Sequence, residues 1–191
     1  MRHACLSAVL ILWAGIAAAF EVEDHRHYPG TGDAVLRIVS TADLDVFEPY
    51  LLAFQSARPA LSIDYTVVSS ADLHRAIRGG ARFDLALSSA MDLQFQLAND
   101  GLARAYRSSA TEALPDWARW RDLIFAFTTE PAVVVISTER FAGLTLPATR
   151  QELTAILRDH PDRFRGAVGT YDVRESGLGY LFATQEARST D

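Results

Sequence analysis

Val35-Leu-Arg-Ile-Val39, followed by Leu44–Gln55 with Leu44, Phe47, Leu51 and Phe54 on one helical face, is the stretch that decides the fold. A short apolar strand running into an amphipathic helix opens a β-α-β unit. The same order continues outward. Leu61–Val68 alternates Leu, Ile, Tyr and Val as a second strand, and Ala71–Arg78 is a short helix that stops at Gly79-Gly80. Phe83–Leu87 is a third strand, and Met91–Asn99 a helix that ends at Gly101. A β-α-β-α-β-α series predicts an α/β fold, with an open, largely parallel sheet and helices on its faces. Asp45 and Glu48 are candidates for a capping box on the first helix, with Pro49 tolerated in its first turn.

On either side of this core the chain is less regular. Glu21–Asp33 is polar, carries Pro29-Gly30 and Gly32, and is expected to be an irregular lead-in. Within it His25-Arg26-His27 has metal-compatible side chains, but two histidines on a flexible segment with no further ligand at fixed spacing read as a solvated tail. Ser108–Asp122 is an irregular, Trp-containing segment. Leu123–Phe127 and Ala132–Ile136 are apolar strands separated by Thr128-Thr129-Glu130-Pro131. Arg150–Arg158 is helical, Ala167–Tyr171 is strand-like, and Gly179–Ala187 is helical.

The chain has 191 residues, 49% hydrophobic and 22% charged, which excludes a disordered or collagen-like protein. Its 18 basic residues are all Arg against 24 acidic ones, a net charge of −6. That balance argues against a nucleic-acid partner. Without lysine there is no Schiff-base, pyridoxal-anchoring or P-loop chemistry. Met1–Ala4 carries one Arg, Cys5–Ala19 is an unbroken run of apolar and small residues, and Ala17-Ala18-Ala19 closes it. This reads as a secretory signal peptide over residues 1–19, with cleavage after Ala19 and delivery to the periplasm. Cleavage removes the one cysteine, so the mature chain is expected to hold no disulfide, thiol nucleophile or Cys-based metal site, and not to be membrane-embedded.

Ligands of open α/β sheets bind outside the carboxyl ends of the strands. Small hydroxyl residues recur there: Ser40-Thr41-Ala42-Asp43 after the first strand, Ser88-Ser89 after the third, Thr128-Thr129-Glu130 after the run from Leu123, and Thr170-Tyr171-Asp172 after the run from Ala167. Hydroxyls both donate and accept, and helix N-termini supply free N–H groups. The alternative is that each Ser, Thr or Asp merely caps the next helix. Beyond Thr170 come Arg174, Ser176 and Gly177, in a glycine-opened helix start whose N–H groups can approach a ligand oxygen while Arg174 pairs with its negative charge. The candidate binding residues are therefore Thr41, Ala42, Asp43, Ser88, Ser89, Thr129, Thr170, Arg174, Ser176 and Gly177. They suit a small organic acid or other oxyanion first, and a hydrated cation through Asp43, Glu130 and Asp172 second.

No catalytic constellation is present, neither a Gly-x-Ser-x-Gly elbow nor a His-Glu-x-x-His or P-loop motif, and no cofactor or metal is expected. His74 and His160 read as surface residues, and Trp117-Ala-Arg-Trp-Arg121 as a packed loop with solvated arginines.

The blocks Leu36–Asp43, Phe83–Asp92 with Asn99–Ala103, Phe125–Val135 and Gly169–Tyr180 together resemble bacterial periplasmic solute-binding proteins of ABC importers, nearest to the type II class that includes ferric-iron-binding proteins. The resemblance implies two α/β lobes joined by a hinge, a solute held between them, a membrane permease as partner, and a monomer. It places lobe one at residues 34–130, the hinge at Phe127–Ala132 and the start of lobe two at residues 131–191. Relatives of this kind are longer, so lobe one is expected mostly present, lobe two partial, and solute binding weaker than in a full-length relative. The paired tyrosines of the ferric members are not among the matched residues. A periplasmic sensor subunit, a ferric-iron-binding protein and a non-functional truncated product are the other functional readings.

Overall fold

The computed structural model describes residues 20–129 and 133–188; the apolar leader and residues 130–132, with half of the expected hinge, lie outside them. Strands β1 (Asp24–Tyr28), β2 (Val35–Ser40), β3 (Ser62–Val67) and β4 (Leu85–Leu87) form one sheet in the order β1-β3-β2-β4. β2 runs parallel to both β3 and β4, and β1 is an antiparallel edge strand on β3. Helix α1 (Leu44–Ala57) connects β2 to β3, and α2 (Ser70–Arg78) connects β3 to β4; α3 (Met91–Asn99) follows β4. The three-strand β-α-β-α-β-α series expected from the sequence is present.

The period-two alternation of β2 and β3 sends their side chains to opposite faces, and each face has its own core. One holds Tyr28, Ile38, Leu44, Leu51, Ile63, Tyr65 and Val67, with α1 lying over it. The other holds Val39, Val68, Leu73 and Leu97, against α2 and α3. Ile63, Tyr65 and Val39 have no accessible surface, and burying each such side chain contributes about 1.5–3 kcal/mol. β4 begins only at Leu85; just before it, the Asp84 carboxylate accepts from the Arg37 N–H at 2.8 Å and the Asp84 N–H donates to the Arg37 carbonyl at 2.8 Å.

Several local expectations are corrected. The lead-in Glu21–Asp33 is not irregular throughout, because β1 pairs over five residues with β3. Ladder hydrogen bonds need only an open sheet edge, and this strand's charged exterior keeps that edge from pairing further. Asp45 and Glu48 form no capping box; Asp43 is the N-cap, without a side-chain bond. Glu48 instead accepts from Arg26 Nη1 at 2.9 Å and Tyr28 Oη at 2.9 Å, tying α1 to the edge strand. Pro49 lies in the second turn of α1, where the helix forgoes one backbone bond.

Beyond α3 the chain forms a short helix α4 (Ser109–Glu112) and a two-stranded hairpin, β5 (Arg119–Trp120) with β6 (Ile124–Phe125). Arg121 and Asp122 turn it with positive φ of 51° and 56°, a primed turn that costs about 1–2 kcal/mol per non-glycine residue. Arg107 Nε donates to the Asp122 carboxylate at 2.7 Å and helps hold it. Helices α5 (Arg150–Asp159), α6 (Pro161–Phe164) and α7 (Gly177–Arg188) complete the described chain.

Of the strands expected at Ala132–Ile136 and Ala167–Tyr171, the described residues 133–136 and 167–171 are irregular. β propensity produces a strand only where a neighbour offers a ladder, and among the described residues no strand pairs with either run. Val133, Val134 and Val135 are accordingly 71%, 62% and 89% exposed. Among the described residues no helix is long and apolar enough to cross a membrane.

The Tyr28–Glu48–Arg26 tie makes a pH prediction. Burial, then the Glu48 hydrogen bond, pushes the Tyr28 hydroxyl up to about 12, whereas in the unfolded chain it ionises near ~10. The folded state thus holds the proton longer, and this contribution is complete below about pH 10 and lost as pH rises toward 12. Spectrophotometric titration, with Tyr28→Phe as the difference reference, should find the raised midpoint; Glu48→Gln should lower it part of the way toward ~10, since burial remains.

Candidate functional site

The strand order makes β2 the switch point: α1 leaves it on one face and α2 crosses back on the other, and ligands of open α/β sheets bind at the strands' carboxyl ends at such a point. The residues that follow β2 are held there by three neighbours. Ser40 is fully buried; its Oγ accepts from the Ala42 N–H at 3.0 Å and its carbonyl from the Val68 N–H at 3.0 Å. Thr41 N–H donates to the Leu87 carbonyl at 3.0 Å, and the Tyr65 hydroxyl to the Ala42 carbonyl at 2.9 Å. Burial pushes the Tyr65 hydroxyl above its ordinary value. Thr41, Ala42 and the exposed Asp43 therefore sit on a rigid turn joined to β3 and β4.

Next to it, Ser88 Oγ accepts from the Ala90 N–H at 3.1 Å and lies 3.5 Å from Ser70 Oγ. Ser69 is the N-cap of α2, accepting from the Asp72 N–H at 3.1 Å and donating to the Asp72 carboxylate at 2.9 Å. Burial opposes ionisation of Asp72, but hydrogen bonds from Arg75 and Ser69 outweigh it and hold the carboxyl below its ordinary value. On its far side Ser69 Oγ lies 3.5 Å from Glu175 Oε2.

Glu175 belongs to the segment opening α7, and that segment docks on these strand ends. Gly177 is buried against Ala90; a Cβ there would sit 2.2 Å from the Ala90 Cβ. The absence of a side chain is what admits the approach. Ser176 Oγ accepts from the Gly179 N–H at 3.1 Å, capping the helix start. Of the expected residues, the structure joins Ser88 and its neighbour Ala90 to Gly177, and joins Thr41 and Ala42 to the same sheet end.

The other expected residues are placed differently. Ser89 is half-buried, its carbonyl accepting from the Met91 N–H at 3.0 Å. Arg174, expected to meet a ligand anion, closes on Asp172 instead, with Nε at 3.0 Å from Oδ1 and Nη2 at 2.5 Å from Oδ2. That grip holds the Asp172 carboxyl at about 2. Thr129 and Thr170 are exposed on irregular backbone, without a hydrogen bond to the other described site residues. Phe127, two residues before Thr129, does pack edge-on to Phe47 at 6.1 Å, and Phe47 stacks on Tyr65 at 5.5 Å. This carries the chain after β6 to the start of α1.

Ser69, Ser70 and Glu175 were not among the expected site residues. The hydroxyl-after-strand rule that selected Ser88 applies equally to Ser69-Ser70 after β3, whereas no sequence signal brings Glu175 to Ser69. A polar hollow of about 410 Å³ lies elsewhere, lined by Arg107, Glu112, Asp116, Arg119, Arg121 and Asp122. Its arginines are engaged: Arg107 on Asp122, Arg119 on Asp116 at 3.5 Å, and Arg121 over the Trp120 ring at 4.6 Å.

The chain is similar to the substrate-binding protein of an ABC transporter from Agrobacterium tumefaciens, with a TM-score of 0.84 and 31% identity over 91% of this chain and 53% of that one. This chain thus spans about half the length of that relative. No protein-family model matches the sequence, and no match is found among curated proteins.

The docking contact is directly testable. Gly177→Val places a side chain where Ala90 already is, and should release α7 from α3 at a cost of about 1–3 kcal/mol. Limited proteolysis after the Asp172–Ser176 turn should accelerate in Gly177→Val, while amide exchange within β2 and β3 stays unchanged.

Proposed function

We propose that this chain is an exported solute-binding protein of type II architecture, which captures a small polar solute and delivers it to the membrane permease of an ABC importer from the periplasm. The observation that carries the reading is the likeness, over nearly all of this chain, to a protein whose role is substrate binding for such a transporter. The strand-end chemistry supports it: hydroxyls of Thr41, Ser69, Ser88 and Ser89 stand beside the N-termini of α1, α2 and α3, and such ends offer N–H donors and positive potential. In this reading residues 34–130 are lobe one, the segment around Phe127 leads toward the hinge, and the Asp172–Tyr180 segment belongs to the opposing wall.

A small organic acid or oxyanion fits the donors best. A cation-bearing solute is the second reading, favoured by the Glu175 carboxylate at Ser69 and by the engagement of Arg174 with Asp172. The chain is assigned no catalytic role, in keeping with the binding protein it resembles.

Thermal-shift screening against organic acids, oxyanions and amines tests this. One class should raise the melting temperature without being consumed, and Ser88→Ala should weaken that binding by about 1 kcal/mol, roughly fivefold, as expected for one lost hydrogen bond. The same chain lengthened to the span of its relative should bind the solute more tightly, because two walls and closure contribute contacts. Turnover of the stabilising compound, or no stabilisation of the lengthened chain by any class, would refute the proposal.

A further inference from the structure

Away from the strand ends, the β5–β6 hairpin is held firmly in place. Trp120 packs edge-on to Phe95 of α3 at 4.9 Å, the Tyr106 N–H donates to the Asp122 carbonyl at 2.9 Å, and the Ala126 N–H to the Ala118 carbonyl at 2.8 Å. Beside it lies the polar hollow of about 410 Å³, whose three arginines are engaged to very different degrees. Arg107 closes on Asp122 at 2.7 Å. Arg119 reaches Asp116 only at 3.5 Å, and Asp116 is wholly exposed to water; such a pair contributes little. Arg121 lies over the Trp120 ring and makes no ion pair among the described residues. A guanidinium stacked on a ring keeps its in-plane N–H donors for another partner. Two aromatic side chains adjoin the lining: Trp117, between Asp116 and Arg119, is 74% exposed, and Tyr106, next to Arg107, is 58% exposed. The Trp117–Arg121 stretch is therefore not the packed loop that its composition suggests.

We propose that this hollow docks an acidic segment of a partner protein, one Asp or Glu carboxylate entering between Arg119 and Arg121 while Trp117 and Tyr106 cover apolar side chains beside it. Charge complementarity favours such an occupant. Residues 104–121 hold Arg104, Arg107, Arg119 and Arg121 against Glu112 and Asp116, on a chain whose net charge is −6. A carboxylate accepts charge-assisted hydrogen bonds from two guanidinium groups, and the exposed Asp116 gives way to it by turning into water. Glu112, also in the lining, limits the hollow to one carboxylate, which disfavours a dense polyanion. Tryptophan, tyrosine and arginine are the side chains in which interfaces concentrate their binding energy. Because the hairpin is already fixed by Phe95 and by the Arg107–Asp122 pair, little ordering is needed on docking. A surface built on one small hollow suits a transient encounter rather than a permanent complex. The proposal does not depend on which solute the strand ends hold.

Calorimetric titration of the full chain with an acetylated, amidated glutamate–leucine decapeptide tests the docking. A lysine–leucine decapeptide, free glutarate and phosphatidylglycerol vesicles are the other arms. The glutamate–leucine peptide should bind, with an affinity that falls severalfold between about 50 and 300 mM salt. Arg121→Gln and Trp117→Ala should each weaken it about tenfold, with circular dichroism of both variants matching the parent. Arg158→Gln, which removes the same charge from α5, should leave binding unchanged. Backbone amide shifts on adding the peptide should centre on residues 104–122, and glutarate, lacking the apolar flank, should bind more weakly. Absence of peptide binding, or binding that survives both substitutions, would overturn the proposal. So would equal binding of the lysine–leucine peptide, equal binding of glutarate, or binding to the vesicles without binding to the peptide.

Discussion

The parallel pairing of Val35–Ser40 with Ser62–Val67 is the constraint on which the other elements depend. It places Ile63, Tyr65 and Val39 where no water reaches them and gives the sheet two buried faces. It also fixes Ser40 beside Val68, which sets the turn that carries Thr41, Ala42 and Asp43. Parallel strands require a crossover, so α1 and α2 are driven to opposite faces and the crevice between their starts follows. The antiparallel edge strand is a consequence as well, since it uses the β3 edge that β2 leaves open.

A second level of organisation joins distant sequence to this frame through small residues. Gly177 reaches Ala90 because neither carries bulk, and the approach brings Glu175 to the Ser69 hydroxyl. Hydroxyls and helix N-termini at these strand ends therefore meet a carboxylate from the segment opening α7. Arg174 is engaged with Asp172 rather than presented to the opening. This mix of donors and one acceptor charge suits recognition of a polar solute by hydrogen bonds.

Much of the fold was legible in the sequence, and for a physical reason. Local periodicity determines which face of a strand or helix is buried, and the β2–α1–β3–α2–β4–α3 series follows from it nearly residue by residue. What could not be read depends on partners remote in sequence. β1 is polar and shows no strand periodicity; its hydrogen bonds come from an open edge. The runs at 133–136 and 167–171 have strand composition, but ladder formation requires a neighbour that no local pattern supplies. The candidate site was legible where a hydroxyl follows a strand, as at Thr41 and Ser88. It was not legible where contacts span many residues, as for Glu175 with Ser69. The same holds on the sheet edge, where His27 meets Asp64 only through the register of β3.

The central claim is that a solute is held where the strands end, between the β2, β3 and β4 termini and the segment opening α7. Locating a stabilising solute by crystallography in this protein tests it most directly. The account predicts the solute within hydrogen-bonding distance of the Thr41–Asp43 turn and of Ser69 or Ser88. A solute seated in the hollow beside the β5–β6 hairpin, or on any surface away from the strand ends, would contradict it.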